Sequence, residues 1–338
     1  MKRIGFLSFG NWRDIGGSGV RTAADAHLQS IELAEAAEEI GIDGAYFRVH
    51  HFAPQLASPF PLLAAVAART SRIEMGTGVI DMRYENPLYF AEEAAATDLI
   101  AGGRLQLGIS RGSPEPALDG AGAFGYRAPE GESMADVART KADIARQAIR
   151  GAGVVMSDPK QTGESVPLAV QPLSEGLDRR LWWGAGSRAT ARWAAEEGYN
   201  LMSSTLLTED TGVPFDELQA EQIQVFRDAW AEAGHDWTPR VSVSRSVFPI
   251  VSDLDHRYFG SRSEESEDQV GVLEGVRARF GRTYAGEPDV VAAELASDAA
   301  VQAADTLLVT VPNMLGVDYN AALLESIVTH VAPALGRD

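Results

Sequence analysis

Two periods of hydrophobic and polar residues alternate along the chain. Short apolar runs of strand type are each followed by a longer stretch whose apolar residues recur at helical spacing. Ile4–Phe9 reads as a strand and leads into a glycine-rich loop, Gly10–Gly19. Over residues 25–40, Leu28, Ile31, Ala34, Ala37 and Ile40 share one helical face, Glu35, Glu38 and Glu39 fall off it, and Gly41 ends the helix. The alternation continues with strand Ala45–His51 and helix Pro59–Thr70, then strand Ile73–Ile80 and helix Pro87–Ala101, which has proline at its start. Strand Arg104–Arg111 precedes helix 133–150, and strand Leu181–Ala185 precedes helix Ser187–Glu197. Strand Tyr199–Ser204 is followed by helix 214–233, which carries Phe215, Leu218, Phe226 and Trp230. Strand Val241–Val251, helix 288–299, strand Thr306–Val311 and helix 318–332 complete the series, and Val166–Val170 reads as the arm of an extra hairpin.

Eight strand–helix units imply a parallel sheet with helices on its outer face, closed into a barrel. The expected fold class is α/β, a (β/α)8 TIM barrel in a single domain over residues 1–338. A plain barrel takes roughly 250 residues, so 338 residues leave a surplus. It falls after strand four (112–132), before strand five (151–180) and after strand seven (252–286). Ser261–Gln269, within the last of these, is polar and charged and reads as a mobile lid.

Composition narrows the function classes. A net charge of −19 with no segregated basic patch opposes nucleic-acid binding. No run of about 18 apolar residues is present, so no membrane-spanning helix is expected. Cysteine is absent, which removes disulfides, thiolate metal sites and a cysteine nucleophile. Met1–Phe6 leads directly into the first strand without the features of a signal peptide, so a cytoplasmic location is expected.

A barrel carries its chemistry at the C-terminal ends of its strands. Those ends read Gly10-Asn11, His50-His51, Ile80-Asp81, Ser110-Arg111, Ala185-Gly186, Ser204-Thr205, Val251-Ser252 and Pro312-Asn313. Acidic residues there are Asp81 and, one position past its strand end, Asp253, a poor supply for the facing carboxylates of a glycosidase or for a hydrolytic metal site, and no metal is expected. Tyr46, Arg48 and His50 share one strand face and Phe47, Val49 and His51 the other. The apolar set belongs against the helices, so His50 is expected to face the mouth, as a proton-transfer group or only as a structural hydrogen-bonding residue. Gly184-Ala185-Gly186-Ser187-Arg188-Ala189 has the form GxGxxA between a strand and a helix. No acidic residue ends the next strand; Glu209 and Asp210 lie beyond it in a loop. A helix N-terminus with the hydroxyls of Ser187 and Thr190 would suit a phosphate, with Arg111 as a clamp, although a plain serine cap reads equally well. Gly76 and Gly78, flanking Thr77 and followed by Val79, are unusual inside a strand; they suit close approach of a flat ring or a bulge.

Together these residues resemble the bacterial luciferase-like flavin monooxygenase family. The resemblance rests on Val49-His50-His51-Phe52, Gly76-Thr77-Gly78-Val79, Gly103–Gly112, Gly186-Ser187-Arg188-Ala189-Thr190 and Leu315–Asn320, in order on eight units. It implies a homodimeric barrel that binds FMN, or in one branch F420, at its mouth. It implies phosphate binding by Arg111, Ser187 and Thr190, with Gly186 where luciferase carries glutamate. His50 matches a catalytic base and Ser110 a reactive cysteine beside the flavin. Gly76, Gly78 and Val79 lie against the cofactor, with a strained, non-prolyl cis peptide expected at Val79–Ile80. The implied reaction takes reduced FMN from a separate flavin reductase, adds O2 to form a C4a-hydroperoxyflavin, and oxygenates a small organic substrate such as an aldehyde or ketone. F420-dependent hydride transfer and non-catalytic flavin binding are the alternatives.

Overall fold

The computed structural model describes residues 2–112, 116–209, 212–261, 268–273 and 276–337. Eight strands pair in parallel in chain order: β1 (Arg3–Ser8), β2 (Gly44–Phe47), β3 (Glu74–Asp81), β4 (Leu105–Ser110), β5 (Leu181–Ala185), β6 (Asn200–Ser203), β7 (Val241–Pro249) and β8 (Thr306–Val311). β8 returns to β1 with Arg3 level with Thr306, and β6 meets β7 with Leu201 level with Val241, so the barrel closes. Each strand is followed by a helix: α1 (Ala23–Ile40), α2 (Pro59–Arg69), α3 (Pro87–Ala101), α4 (Met134–Ile149), α5 (Arg188–Glu196), α6 (Phe215–Ala233), α7 (Pro288–Ser297) and α8 (Val317–Ser326).

Local chemistry sets the helix ends. Thr22 and Asp25 form a reciprocal capping box at the start of α1, Ser133 and Asp136 do the same for α4, and Asn86 accepts from Leu88 and Tyr89 N–H at the start of α3. Gly41 closes α1 at φ 97°, a left-handed conformation in which glycine carries no Cβ penalty. Strand residues such as Ile4, Phe6, Phe47, Val243 and Leu307 point outward and join the buried layer under the helices.

A second, smaller apolar cluster fills the barrel: Leu7, Tyr46, Trp182, Met202 and Leu308, with Phe9 and Val79 packed on it. Gln106 accepts from Trp182 Nε1 at 2.8 Å within this layer. Near the N-terminal end, Arg240 pairs with both Glu74 oxygens at 3.0 Å and lies over the Trp182 ring, 5.0 Å from its centroid. The barrel is therefore plugged at this end.

The surplus residues have structure that periodicity missed. After β7, helix Asp253–Phe259 is followed by a hairpin of Gln269–Leu273 and Val276–Phe280 that pairs with Leu206–Leu207, and Thr283–Gly286 then runs parallel to β7. The expected lid at 261–269 falls largely outside the described residues. The hairpin arm at 166–170 is present as Pro167–Leu168 against Val155–Met156. Most element ends shift by a residue or two, and three of the differences have a plain cause. β2 stops at Phe47, because the chain leaves the ladder after Arg48 N–H meets Ser8 C=O and His50 N–H turns to Leu56 C=O. β7 stops at Pro249, which donates no N–H of its own, and one last bond follows it, from Ile250 N–H to Gly286 C=O at 2.8 Å. Regular α8 ends at Ser326 and runs on as a wide turn over Ile327–Val331 and a tight turn over Ala332–Leu335; Pro333 cannot donate an α-helical bond there.

Candidate active site at the barrel mouth

Above the plugged floor, Phe9, Arg48, Gly78, Val79, Gly184, Ser244, Ser246 and Thr310 are half-buried, and they form the partly open layer of the barrel. Arg48 lies over the Phe9 ring at 5.0 Å, and the hydroxyls of Ser246 and Thr310 are 2.8 Å apart. Loops after β1, β2 and β8 are knitted by amides. Asn11 N–H donates to Asn313 Oδ1 at 3.2 Å, Asn313 Nδ2 to Asn11 C=O at 2.7 Å, and Gln55 Nε2 to Asn11 Oδ1 at 2.7 Å.

The β3–β4–β5 side is bare of bulk. The register between β3 and β4 shifts between Thr77 and Ile80, and the Gly78–Val79 peptide bond is cis. The bond lies one residue earlier than the expected Val79–Ile80. A Cβ on Gly184 would stand 3.3 Å from Val79 Cγ1 and 3.4 Å from Ser110 Cβ, so Val79, Ser110 and Gly184 converge on one patch. A Cβ on Gly108 would lie 2.2 Å from Thr77 C=O and 2.9 Å from Val79 Cγ1, which makes glycine obligatory there. The two strand glycines differ. A Cβ on Gly78 meets only the end of the Leu7 side chain, at 2.9 Å. A Cβ on Gly76 would come within 2.1 Å of Gln106 C=O and 2.9 Å of the Tyr46 ring, low in the barrel. Packing thus accounts for Gly76 by itself.

Arg111 follows β4 directly and its side chain is exposed. The register Ile109↔Trp183, continued by two residues, sets Arg111 level with Ala185 at the end of β5. Its backbone is held from both sides. Ser110 Oγ accepts from Gly112 N–H at 3.1 Å. Gly112 has φ 95°, and a Cβ there would strike the Arg83 guanidinium at 2.3–2.4 Å. Arg83 is itself fixed by Asp81, with Nη2–Oδ2 at 2.6 Å.

Two residues beyond β5, Ser187 is the N-cap of α5. Its Oγ accepts from Thr190 N–H at 3.2 Å and donates to Thr190 Oγ1 at 3.0 Å. Gln222 on α6 donates to Ser187 C=O at 3.0 Å and to Ala185 C=O at 3.2 Å, fixing the turn from behind. Gly186 C=O accepts from Thr208 N–H at 2.9 Å, and no atom crowds its missing Cβ closer than Leu206 C=O at 3.6 Å. Glu209 reaches this turn as well: its Oε2 accepts from Arg188 N–H at 3.0 Å.

His50 and His51 are both buried, at 8% and 9% exposure, so strand parity does not separate them once β2 has ended. His51 stacks on Tyr84 at 4.2 Å between ring centroids and meets Phe124 edge-on at 5.3 Å. Phe52 and Phe124, each about half exposed, extend this aromatic group outward, and Phe52 has φ 56°. The group is built from the loops after β2, β3 and β4, at the C-terminal end of the barrel. Phe259, in the helix that follows β7, stacks on Phe248 at 3.9 Å.

Beneath these loops lies a small charged knot. Burial pushes the Glu85 carboxyl up to about 7, with Glu93 adding to the shift and Lys141 opposing it. Burial also brings the Lys141 ammonium down to about 8 against the pull of Glu85 and Asp81. Lys141 Nζ donates to Arg83 C=O at 2.8 Å and sits 3.1 Å from the centroid of the Tyr126 ring. The loop after β4 is therefore tied to the end of β3.

The structure brings Gly78, Val79, Ser110, Arg111, Gly186, Ser187 and Thr190 onto adjoining strand ends, places His50 at the end of the neighbouring strand, and sets Gly76 deeper. Residue patterns missed Arg83, Tyr84 and Glu209. Glu209 follows Ser187 by 22 positions, and only the meeting of two loops makes it a neighbour. Among the described residues, no group of three or more His, Cys, Asp or Glu side chains is arranged to hold a metal ion, and no helix is long and apolar enough to cross a membrane.

A family profile described as luciferase-like monooxygenase matches residues 1–302. An uncharacterised protein of Sinorhizobium fredii is 29% identical over 58% of this chain and 55% of its own length. The oxygenase component of a flavin-dependent trigonelline monooxygenase from Acinetobacter baylyi is 34% identical over 28% of this chain and 26% of its own. The chain thus matches from about a quarter to about half the length of these curated relatives. Among solved structures, the monooxygenase RslO1 of Streptomyces bottropensis superposes with a TM-score of 0.73 at 21% identity, covering 98% of this chain and 99% of that one. The oxygenating constituent of 3,6-diketocamphane monooxygenase from Pseudomonas putida, solved with FMN, gives 0.72 at 19% identity and the same coverage. An F420-dependent tetrahydromethanopterin reductase from Methanopyrus kandleri gives 0.65 at 16% identity, covering 99% of each chain. At these identities the superpositions establish the shared barrel.

Proposed function

The chain belongs to the luciferase-like monooxygenase family and is an enzyme of that family; from this we propose that it binds reduced FMN at the barrel mouth and, with O2, oxygenates a small uncharged organic molecule such as an aldehyde or ketone. The observation that carries this reading is the bare patch of Gly78, Val79, Ser110 and Gly184, which adjoins the α5 N-terminus at one end. A flat ring system needs a wall without bulk, and a phosphate needs oriented N–H and O–H groups with a cation nearby.

When bound, reduced FMN supplies the electrons that activate O2. The rest is assigned to the chain's own residues. Arg111, Ser187 and Thr190 hold the phosphate. Gly78, Val79, Ser110 and Gly184 seat the ring, with Gly186 contributing backbone only. His50 holds or moves a proton at the reacting oxygen of the substrate, a task suited to an imidazole. Phe52, Tyr84 and Phe124 give the substrate an uncharged wall and help to keep water out. Net charge of −19 further disfavours an anionic substrate. A separate flavin reductase delivers the reduced cofactor. The chain pairs with a second copy through the outer face of α3, where Tyr89, Leu99 and Ile100 are more than half exposed.

Fluorescence titration of the purified chain with FMN, riboflavin and F420 tests the reading. FMN is expected to bind at least about tenfold more tightly than riboflavin, as charged hydrogen bonds to a phosphate require. Incubation with reduced FMN, 18O2 and a panel of ketones and aldehydes is expected to give labelled product. Tighter binding of F420, with hydride transfer and no labelled product, would move the chain to deazaflavin chemistry.

A further inference from the structure

The N-terminal turn of α5 is satisfied from within. Ser187 Oγ and Thr190 Oγ1 are bonded to each other at 3.0 Å, Thr190 N–H is held by Ser187 at 3.2 Å, and Arg188 N–H is held by Glu209 Oε2 at 3.0 Å. Ser187 already caps the helix, so Glu209 is a second acceptor at an end that has its cap. It brings a full negative charge, half-buried, to the place where a phosphate is to sit.

We propose that Glu209 is a competing anion built into the cofactor site: its carboxylate holds the first amide of α5 until a phosphate takes that amide, and it thereby sets how loosely the cofactor is bound. This rests on the reading that α5 receives the phosphate. Two anions do not share one N–H, and the field at a helix N-terminus favours whichever occupies it. The surroundings let Glu209 yield without unfolding its loop. Thr208 is anchored independently, its N–H and Oγ1 both reaching Gly186 C=O, at 2.9 and 3.2 Å. Rotation of the Glu209 side chain alone frees the amide. Arg188, which touches Glu209 at 3.4 Å, keeps its partner Glu221 at 2.9 Å when Glu209 leaves. The displaced carboxylate therefore strands no cation.

Apparent affinity falls in proportion to the fraction of molecules whose site is open. A carboxylate seated nine times in ten would raise the apparent dissociation constant by about tenfold. Loose binding suits a cofactor that arrives reduced from another protein and leaves oxidised after turnover.

The test uses the full chain with E209A and the near-isosteric E209Q, each checked for an unchanged melting temperature. Oxidised FMN and riboflavin are titrated by fluorescence, and inorganic phosphate is followed by thermal shift. The expected result is a dissociation constant for FMN lowered by about tenfold in E209A and lowered in E209Q. Riboflavin should bind as before, and phosphate should stabilise the variants more than the parent chain. An unchanged or weakened affinity for FMN in both variants, with FMN still bound more tightly than riboflavin, overturns this proposal alone. Equal binding of FMN and riboflavin by the parent chain and by E209A overturns the phosphate site and this proposal with it.

Discussion

Arg111 and His50 stand at the ends of the strands on either side of β3 but are assigned separate tasks, so their variants should part company. Arg111→Ala is expected to weaken FMN binding by about 1.5–3 kcal/mol, the range for hydrogen bonds to a charged group. Unchanged affinity in the titration would remove Arg111 from the phosphate site. His50→Ala should bind FMN nearly as the parent chain does and turn over slowly; a full rate of product formation would leave His50 a structural role only. Residue identity alone singled out both as candidates, because an arginine and a histidine at strand ends stand out in a mouth so poor in carboxylates. Gly76 illustrates the converse. Its pattern suggested a ligand, whereas the carbonyl of Gln106 and the ring of Tyr46 already require a missing side chain. A glycine reports that space is taken and leaves open what takes it.

Elements are joined by contacts that no local pattern carries. Glu38, near the end of α1, accepts from the N–H groups of Ser71, Arg72 and Ile73 at the entrance to β3. Partial burial pushes its carboxyl up, but these donors outweigh burial and hold it down at about 2, against an ordinary 4.5. Because the folded value is depressed, the stabilisation is complete above pH 4.5 and is lost as pH falls from 4.5 toward 2. Glu38→Gln should therefore cost about 1 kcal/mol at neutral pH, after allowance for solvent at a half-exposed group. Urea titrations of both chains across that interval check it: a deficit that persists undiminished at pH 2 would mean the carboxylate charge is not the cause. Periodicity placed the eight barrel strands and the eight helices numbered with them, and it gave the bounds of α3, β5 and β8 as the structure has them. It overran β2 by four residues, because strand propensity continues through Val49 while the tertiary partner, Leu56 C=O, draws the backbone off the ladder.

For the whole molecule, barrel closure and the assembly of copies are separate matters. The exposed apolar residues of α3 predict a homodimer, so light scattering should give twice the chain mass, and Ile100→Glu should shift it toward the single chain without loss of fold. A parent chain that runs at its single mass at micromolar concentration would sink that proposal. The strong negative charge bears on partners but has no influence on closure, which follows from hydrophobic pairing of strands in chain order.

The order of apolar runs and helical stripes, together with the residue types at the strand ends, determined the barrel and the family, and pointed to the mouth as the place of chemistry. These follow from periods of two and 3.6 residues and from chain direction, which are local properties. Only tertiary structure decided that Glu209 seats on α5, that Arg83 braces the turn bearing Arg111, and that His51, Tyr84 and Phe124 stack. Each of those contacts joins loops from different strands, and its energy depends on a distance that no sequence interval encodes.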